Sequence, residues 1–495
     1  MLVKFSVENY KSIYDKVELD FRIKPKNTVD EENINNNPFV FKIKDDYISK
    51  LCLFYGHNGS GKTNIFEAIL NLCLSNIDNH FLDDIYKPNM IYGENEESKF
   101  EIEFYSNILS ENKSDYSLYN YKLNVKNKEI DDEYKKSIQI TKEIFTENGK
   151  IVFERTNNDL IKNSITNDKN ITIPSDETFI LFLMDIYTKE KKEFDYILKY
   201  KSLMSSLLQN DIGVKNYLLT PDLTNMLFQD IYNNLYELNL LNFYIELIKI
   251  ADVGIDDIKF ELDLQNKKIF EEFKSIITNE IIKDNNDSDN AIKNYLNDVI
   301  KLDDEKEKDL ALLISNILEF TMKYVIKFND NLKEYFDKNK IAFSYRKKWK
   351  EPFANIESDG TKIYAFHMYN IVKSLKSGSL SLHDEFYGVQ PDLIKTVFLL
   401  FRKDMYKEVE QTAQLFMTTH DIMLMDFKYL LLEQVKFVVK EKNKTYVYSA
   451  SDIEGLTKEN LIENYENNKL GAKYFPRPYD LPIKMYSKVM MSDKL

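Results

Sequence analysis

Residues 48–75 constrain this chain more than any other stretch. A compact apolar run, Ile48–Tyr55, ends in Gly56-His57-Asn58-Gly59-Ser60-Gly61-Lys62-Thr63, and a helix-forming segment continues from Thr63 to about Ser75. The spacing is the complete G-x-x-x-x-G-K-[ST] loop, set between a strand and a helix as such a loop requires. Its glycines let the backbone curl until consecutive N–H groups face one centre, and the helix N-terminus adds its positive end. That cradle suits phosphate. Lys62 is placed to reach β- and γ-phosphates, and the Thr63 hydroxyl to ligate Mg²⁺. The cradle residues are Gly56, His57, Asn58, Gly59, Ser60, Gly61, Lys62 and Thr63, with Asn64 next in line.

A phosphate loop of this kind needs a second carboxylate for the metal and a group that activates water. Asp384 and Glu385 follow the strand-like segment Ser379–His383. Asp384 fits the metal side, and Glu385 fits a general base. A further apolar segment, Leu415-Phe416-Met417, ends in Thr418-Thr419-His420-Asp421. Before the helix that leads into the Asp-Glu strand stand Glu357-Ser358-Asp359-Gly360-Thr361. Small polar residues and a glycine at a helix start form a helix cap or a second anion-binding N-terminus.

Along the chain, Val3, Phe5 and Val7 alternate with polar residues, as do Val17, Leu19 and Phe21, which predicts a β-hairpin. An Asn-rich loop is expected at Asn33–Asn37. More strands are expected over 99–155, where Phe100, Ile102 and Phe104 alternate with Glu101 and Glu103. Helical spacing then covers about 176–250 and 268–338, with a strand at Ile258–Leu262 between them and a polar break at Ile281–Asp289. From 341 an α/β rhythm returns: helix 361–375, strand 379–383, helix 391–408, strand 414–418, a strand pair over 435–448 and a last helix over 452–466. The expectation is an α/β head split in sequence into lobes 1–175 and 341–495, with a mostly helical insertion, 176–340, for dimerisation or partner binding. No sustained heptads mark the insertion as a coiled coil.

Charge and composition narrow the function. A net charge of −14 argues against a surface that coats nucleic acid, although Arg346-Lys347-Lys348-Trp349-Lys350 could form a local basic contact or an ordinary solvated face. Cys52 and Cys73, the chain's 2 cysteines, each sit in an apolar segment, as small buried hydrophobes of a reducing compartment do. No apolar leader or run of about 18 apolar residues occurs, so a cytoplasmic protein without a membrane span is expected.

With these elements in order, the chain resembles the ABC ATPase superfamily in its RecF/SMC-like branch. Val7-Glu8-Asn9-Tyr10-Lys11-Ser12, Val17-Glu18-Leu19-Asp20-Phe21 and Tyr55–Asn64 carry that likeness. Closer still, it is similar to AAA-type ATPases of bacterial phage defence: abortive-infection ATPases, the ATPase half of the overcoming-lysogenization-defect nucleases, and the ATPase subunits of PARIS and Septu systems. Ser358-Asp359-Gly360-Thr361-Lys362, Asp384-Glu385-Phe386, Gln390-Pro391 and Thr418–Asp421 carry this second likeness, with Tyr465, Gly471, Ala472 and Pro476 adding to it. The resemblance implies an ABC-type P-loop ATPase head that uses ATP and Mg²⁺. It makes Asp384 the Walker B carboxylate, Glu385 the catalytic base and His420 the γ-phosphate switch. Ser358, Asp359, Gly360 and Thr361 become a signature loop acting in trans across a homodimer or higher oligomer, and Lys11 a basic residue near the nucleotide. The signature departs from the transporter form Leu-Ser-Gly-Gly-Gln, the Walker B strand is unusually polar, and no Q-loop glutamine can be named.

No nuclease motif or Cys/His metal spacing accompanies the ATPase. The function expected is a sensor or regulator of anti-phage defence that controls a separate effector, such as a nuclease, through ATP-dependent dimer closure. The alternative is a RecF-like DNA-binding ATPase of repair or maintenance.

Overall fold

The structure is a computed structural model that describes residues 1–25, 31–78, 81–110, 115–128, 137–166, 171–187, 192–207, 221–251, 255–261, 340–346, 349–405 and 411–473. The chain divides into two compact units: Met1–Asn216 with Asn370–Leu495, and Tyr217–Tyr369.

The first unit opens with β1 (Leu2–Glu8), β2 (Val17–Asp20), β3 (Val40–Ile43), β4 (Asp46–Ser49) and β5 (Leu51–Tyr55). After the helix Lys62–Leu74 come β6 (Ser98–Ser106), β7 (Ser117–Lys128), β8 (Ser137–Glu147), β9 (Lys150–Thr156) and β10 (Asp159–Asn163). In the second unit lie β11 (Asp257–Glu261), β12 (Ile341–Arg346) and β13 (Trp349–Pro352). The helix Asp359–Ser377 crosses the division, and β14 (Leu380–Asp384), β15 (Gln414–Thr419), β16 (Val435–Glu441) and β17 (Lys444–Ser449) return to the first unit.

Two sheets build the head. The antiparallel one runs β10-β9-β8-β7-β6-β1-β2. On β6, Phe100, Ile102 and Phe104 are buried while Lys99, Glu101 and Glu103 face outward, the period-2 alternation of a sheet covered on one side. The other sheet runs β14-β15-β5-β16-β17, parallel except for β17. Every residue of β5 and β15 is buried, as covered parallel strands require. Strands from opposite ends of the chain are neighbours here, so this is an α/β head split in sequence.

The helix Lys62–Leu74 joins the two sheets. Its Ile65, Phe66, Ile69 and Leu72 share one core with Phe100, Ile102 and Phe104 of β6 and with Phe54, Leu382 and Phe416 of the parallel sheet. Burying side chains of this size contributes about 1.5–3 kcal/mol each. Gln414 ties the sheets together a second time. Its Oε1 accepts from Leu2 N at 2.6 Å, and its Nε2 donates to Leu2 O at 2.9 Å and Ser49 O at 2.8 Å, imitating a backbone peptide.

Several expectations are corrected. The Asn-rich stretch is a helix, Glu31–Asn36, held by Ile34 in a small core with Ile23, Val40 and Tyr47. Ile48–Tyr55 is two strands: β4 pairs antiparallel with β3, whereas β5 pairs parallel with β15 and β16. The helix expected over 391–408 is Pro391–Leu399, because Leu400 and Phe401 close i→i+3 turns on Val397 and Phe398. The last helix starts at Lys458 behind the capping residue Thr457. The insertion drawn over 176–340 differs from the compact second unit, 217–369, since Phe179 and Tyr200 pack in the first unit's core with Phe145 and Phe153.

Within the second unit, Phe228 of the helix Pro221–Glu237 packs on Phe260, Phe353 and Phe366 beside the sheet β11-β12-β13. The expected helical run 268–338, its break at Ile281–Asp289, and Pro476 lie outside the described residues. Cys52 and Cys73 are free and buried, and burial pushes both thiols up to about 12. Among the described residues no helix is long and apolar enough to cross a membrane.

Candidate functional site

Parallel pairing brings the ends of three strands side by side. Thr419 on β15 is in register with Tyr55 on β5, and Thr418 with Asp384 on β14. The residues that follow, Gly56, Glu385 and His420, therefore emerge at one edge, the carboxyl ends of the strands, where ligands bind in open α/β sheets.

The loop at the end of β5 is fixed by close packing. Gly61 caps the helix with φ 105, and a Cβ there would collide with Thr445 Oγ1 and Ser12 Oγ. Both the torsion and the space demand glycine. Those two hydroxyls clasp the loop from outside: Thr445 Oγ1 donates to Ser60 O at 2.7 Å, Ser12 and Thr445 meet at 2.7 Å, and Asn64 Nδ2 donates to Ser12 Oγ at 2.6 Å. Lys62, only 6% exposed, donates from Nζ to Gly56 O at 2.8 Å. Burial holds its ammonium below the ordinary lysine range, against the pull of Glu385 and Asp384.

Around Lys62 the other named residues converge. His420 Nε2 is 3.0 Å from Nζ, and Glu385 Oε1 is 3.5 Å away. His420 Nε2 and Glu385 Oε1 are themselves 2.8 Å apart. Burial would push the Glu385 carboxyl up, but hydrogen bonds from His420 and Tyr387 and the charge of Lys62 bring it down to about 2. Glu385 also has φ 57, a left-handed conformation that costs a non-glycine residue about 1–3 kcal/mol and clusters at functional sites.

Asp384 faces the other way, accepting from Thr63 Oγ1 at 2.7 Å and from Thr418 Oγ1 at 2.6 Å. A hydroxyl beside a carboxylate is a hard oxygen pair that fits Mg²⁺, which keeps several waters and borrows ligands from substrate phosphate. No group of three or more His, Cys, Asp and Glu able to hold a metal occurs among the described residues.

Two other sequence-named sites have surroundings of their own. Lys11 has φ 50, pairs with Glu67 on the loop's helix, and lines a cavity of about 550 Å³ with Ser12, Tyr86, Lys87, Pro88 and Asn89. In the second unit, Ser358 Oγ accepts from Thr361 N at 3.1 Å and contacts Thr361 Oγ1 at 2.9 Å, so it caps the helix that Asp359 and Gly360 begin. Asp359 is 84% exposed, in an i,i+3 pair with Lys362. As for the basic cluster, Arg346 is spent on Glu357 at 2.7 Å and Lys350 on Glu261, while Lys347 and Lys348 lie outside the described residues.

Thr445, Glu67 and Tyr387 carry no local signal in the sequence. Ser12, Asn64 and Thr418 lie inside the motifs named above without a role of their own there, and nothing local pairs Ser12 with Thr445, 433 positions away.

A phosphate loop with a buried lysine, a hydroxyl–carboxylate pair and a Glu–His pair at one sheet edge defines a P-loop ATPase head. Residues 51–426 match the family described as "AAA domain, putative AbiEii toxin, Type IV TA system", and the chain belongs to that family. No curated protein sequence matches it. Among solved structures it is similar to the Smc head domain with an extended coiled coil bound to the C-terminal domain of ScpA derived from Pyrococcus furiosus. That likeness is 15% identical with TM-score 0.35, over 94% of this chain and 99% of the other. It is similar also to the SMC head domain from Thermotoga maritima, 10% identical with TM-score 0.33, over 90% and 98%.

Proposed function

We propose that this protein is an ATP-binding and ATP-hydrolysing regulator of anti-phage defence, which controls a separate effector through ATP-dependent closure of a dimer. The observation that carries the reading is the convergence of Lys62, Thr63, Asp384, Glu385 and His420 on one sheet edge. The defence setting is supported by the family description, with its AbiEii toxin and type IV toxin–antitoxin system.

In the proposed mechanism the amides of Gly59–Thr63 and the Lys62 ammonium hold the β- and γ-phosphates. Thr63 and Asp384 would hold Mg²⁺, which would supply positive charge to the phosphate oxygens. Glu385 is a weak base while its carboxylate is shared with His420 and Lys62. When the γ-phosphate takes Lys62 and His420 as its own partners, the influences that depress Glu385 are relieved and Oε1 gains affinity for a water proton. Catalytic competence is thereby linked to γ-phosphate binding. The cavity beside Lys11 takes the nucleoside end, and Ser358–Thr361 of a second copy closes on the γ-phosphate as an anion-binding helix start. Residues 176–340 respond to or hold the partner.

Phage plating on cells carrying the gene with its native neighbours tests the reading, comparing wild type with Lys62→Ala. Protection that disappears with Lys62 supports it. An active ATPase that protects against no phage in a broad panel overturns the defence role, and absence of ATP hydrolysis overturns the mechanism.

A further inference from the structure

Away from the nucleotide cluster, β2 and the segment up to Lys24 face the start of β16 and the end of β17 across a cavity of about 370 Å³. Most charges on its walls are already spent. Glu18 pairs with Lys4 at 2.8 Å and Lys16 at 3.0 Å. Arg22 is divided among Asp20, Asp46 and Glu103.

Two buried charges are not spent. Lys436 is 6% exposed, and its Nζ reaches only the neutral Ser449 Oγ at 3.2 Å and Asp20 O at 3.5 Å. Glu433, three residues earlier, is 9% exposed, and its Oε2 is buried with no hydrogen-bond partner. No ion pair joins either residue to an opposite charge among the described residues, and they do not pair with each other. Burying an ammonium or a carboxylate in this way is unfavourable unless an opposite charge meets it. Both residues line the cavity, so its wall brings together one acidic and one basic side chain for which a molecule carrying the opposite charges would be a partner.

We propose that this cavity binds a small zwitterion of the amino-acid type, its carboxylate on Lys436 and its ammonium or guanidinium group on Glu433. The volume lies at the small end of ligand pockets, which suits a free amino acid better than a nucleotide. A singly charged molecule would satisfy one wall and leave the other charge buried. The proposal does not depend on the ATPase reading, since no lining residue belongs to the Lys62 cluster.

The test uses the full chain in thermal-shift and calorimetric titrations against the common free L-amino acids, with acetate and methylammonium as singly charged probes. At least one amino acid is expected to bind saturably and raise Tm at millimolar concentration, where neither singly charged probe does. Glu433→Gln and Lys436→Met should each weaken binding by about 10-fold or more, and Lys62→Ala should leave it unchanged. In the absence of ligand, Glu433→Gln should raise Tm, because it removes an uncompensated buried charge. No binding across the panel, binding untouched by both substitutions, or a lowered ligand-free Tm for Glu433→Gln with wild-type affinity would overturn the proposal.

Discussion

Thr63 Oγ1 donates to Asp384 Oδ2 at 2.7 Å, joining residues 321 positions apart in the chain. Three parallel strands fix that meeting, because β15 lies between β5 and β14 and aligns both ends with its own. Thr418, from the intervening strand, holds the second oxygen of the same carboxylate at 2.6 Å. Asp384 is therefore oriented from both sides.

Removing the Thr63 hydroxyl should uncouple metal from nucleotide. Thr63→Val is expected to weaken Mg²⁺ affinity by about 10–100-fold and so raise the Mg²⁺ concentration that hydrolysis requires. Binding of ATP without metal should persist, and Thr63→Ser should restore the wild-type Mg²⁺ titration. Equal Mg²⁺ requirements for Val and Thr would remove Thr63 from the metal site.

Glu385→Gln keeps the side-chain shape and removes the proposed base. Hydrolysis is expected to fall about 10²–10⁴-fold while ATP still binds. On the proposed dimer mechanism, light scattering should then detect an ATP-stabilised dimer. A monomer at every ATP concentration would sink the shared site, although Glu385 could still be the base.

The pairing of Glu385 with His420 and Lys62 also predicts a pH signature of stability. The carboxyl is held at about 2, below its ordinary 4.5, so its folded-state pKa is depressed. Its contribution is fully present above the ordinary value and disappears as pH falls from there towards the folded value. The Tm of wild type should thus exceed that of Glu385→Gln at about pH 5, and the margin should shrink as pH falls below that. A margin that stays constant into acid would mean that these ion pairs do not form in solution.

Much of the candidate site's local geometry is legible in the sequence because chemistry restricts the choice of residues there. Gly61 has to turn through φ 105 against two side chains, so the sequence there tolerates little else. The alternation of Phe100, Ile102 and Phe104 was equally readable, since a half-covered strand repeats every two residues. Long-range partners left no such trace. Ser12 and Thr445 are ordinary turn and strand residues until the fold brings them onto the loop. The helix Glu31–Asn36 was hidden for a different reason. Asparagine has weak helix propensity, and what stabilises this turn is Ile34 reaching a core made elsewhere in the chain.

Glu143 on β8 and Arg155 on β9 are both wholly buried, with Arg155 Nε 2.8 Å from Glu143 Oε2. Burial pushes the Glu143 carboxyl up, opposed by Arg155, by the N–H of Phe179 and by the hydroxyl of Tyr121 at 3.0 Å. Arg155 in turn donates to Pro174 O at 2.9 Å, so the pair pins the segment leading into the helix Phe179–Ile186 to the sheet. Breaking one side of a buried pair leaves an uncompensated charge, so Arg155→Met should cost about 3–5 kcal/mol in denaturant unfolding. Adding Glu143→Gln should recover part of that loss, because glutamine is neutral and its carbonyl oxygen can still accept from Phe179 N and Tyr121 Oη. If the double variant is no more stable than Arg155→Met, Glu143 takes up a proton once Arg155 is gone, and no uncompensated charge remains in the variant.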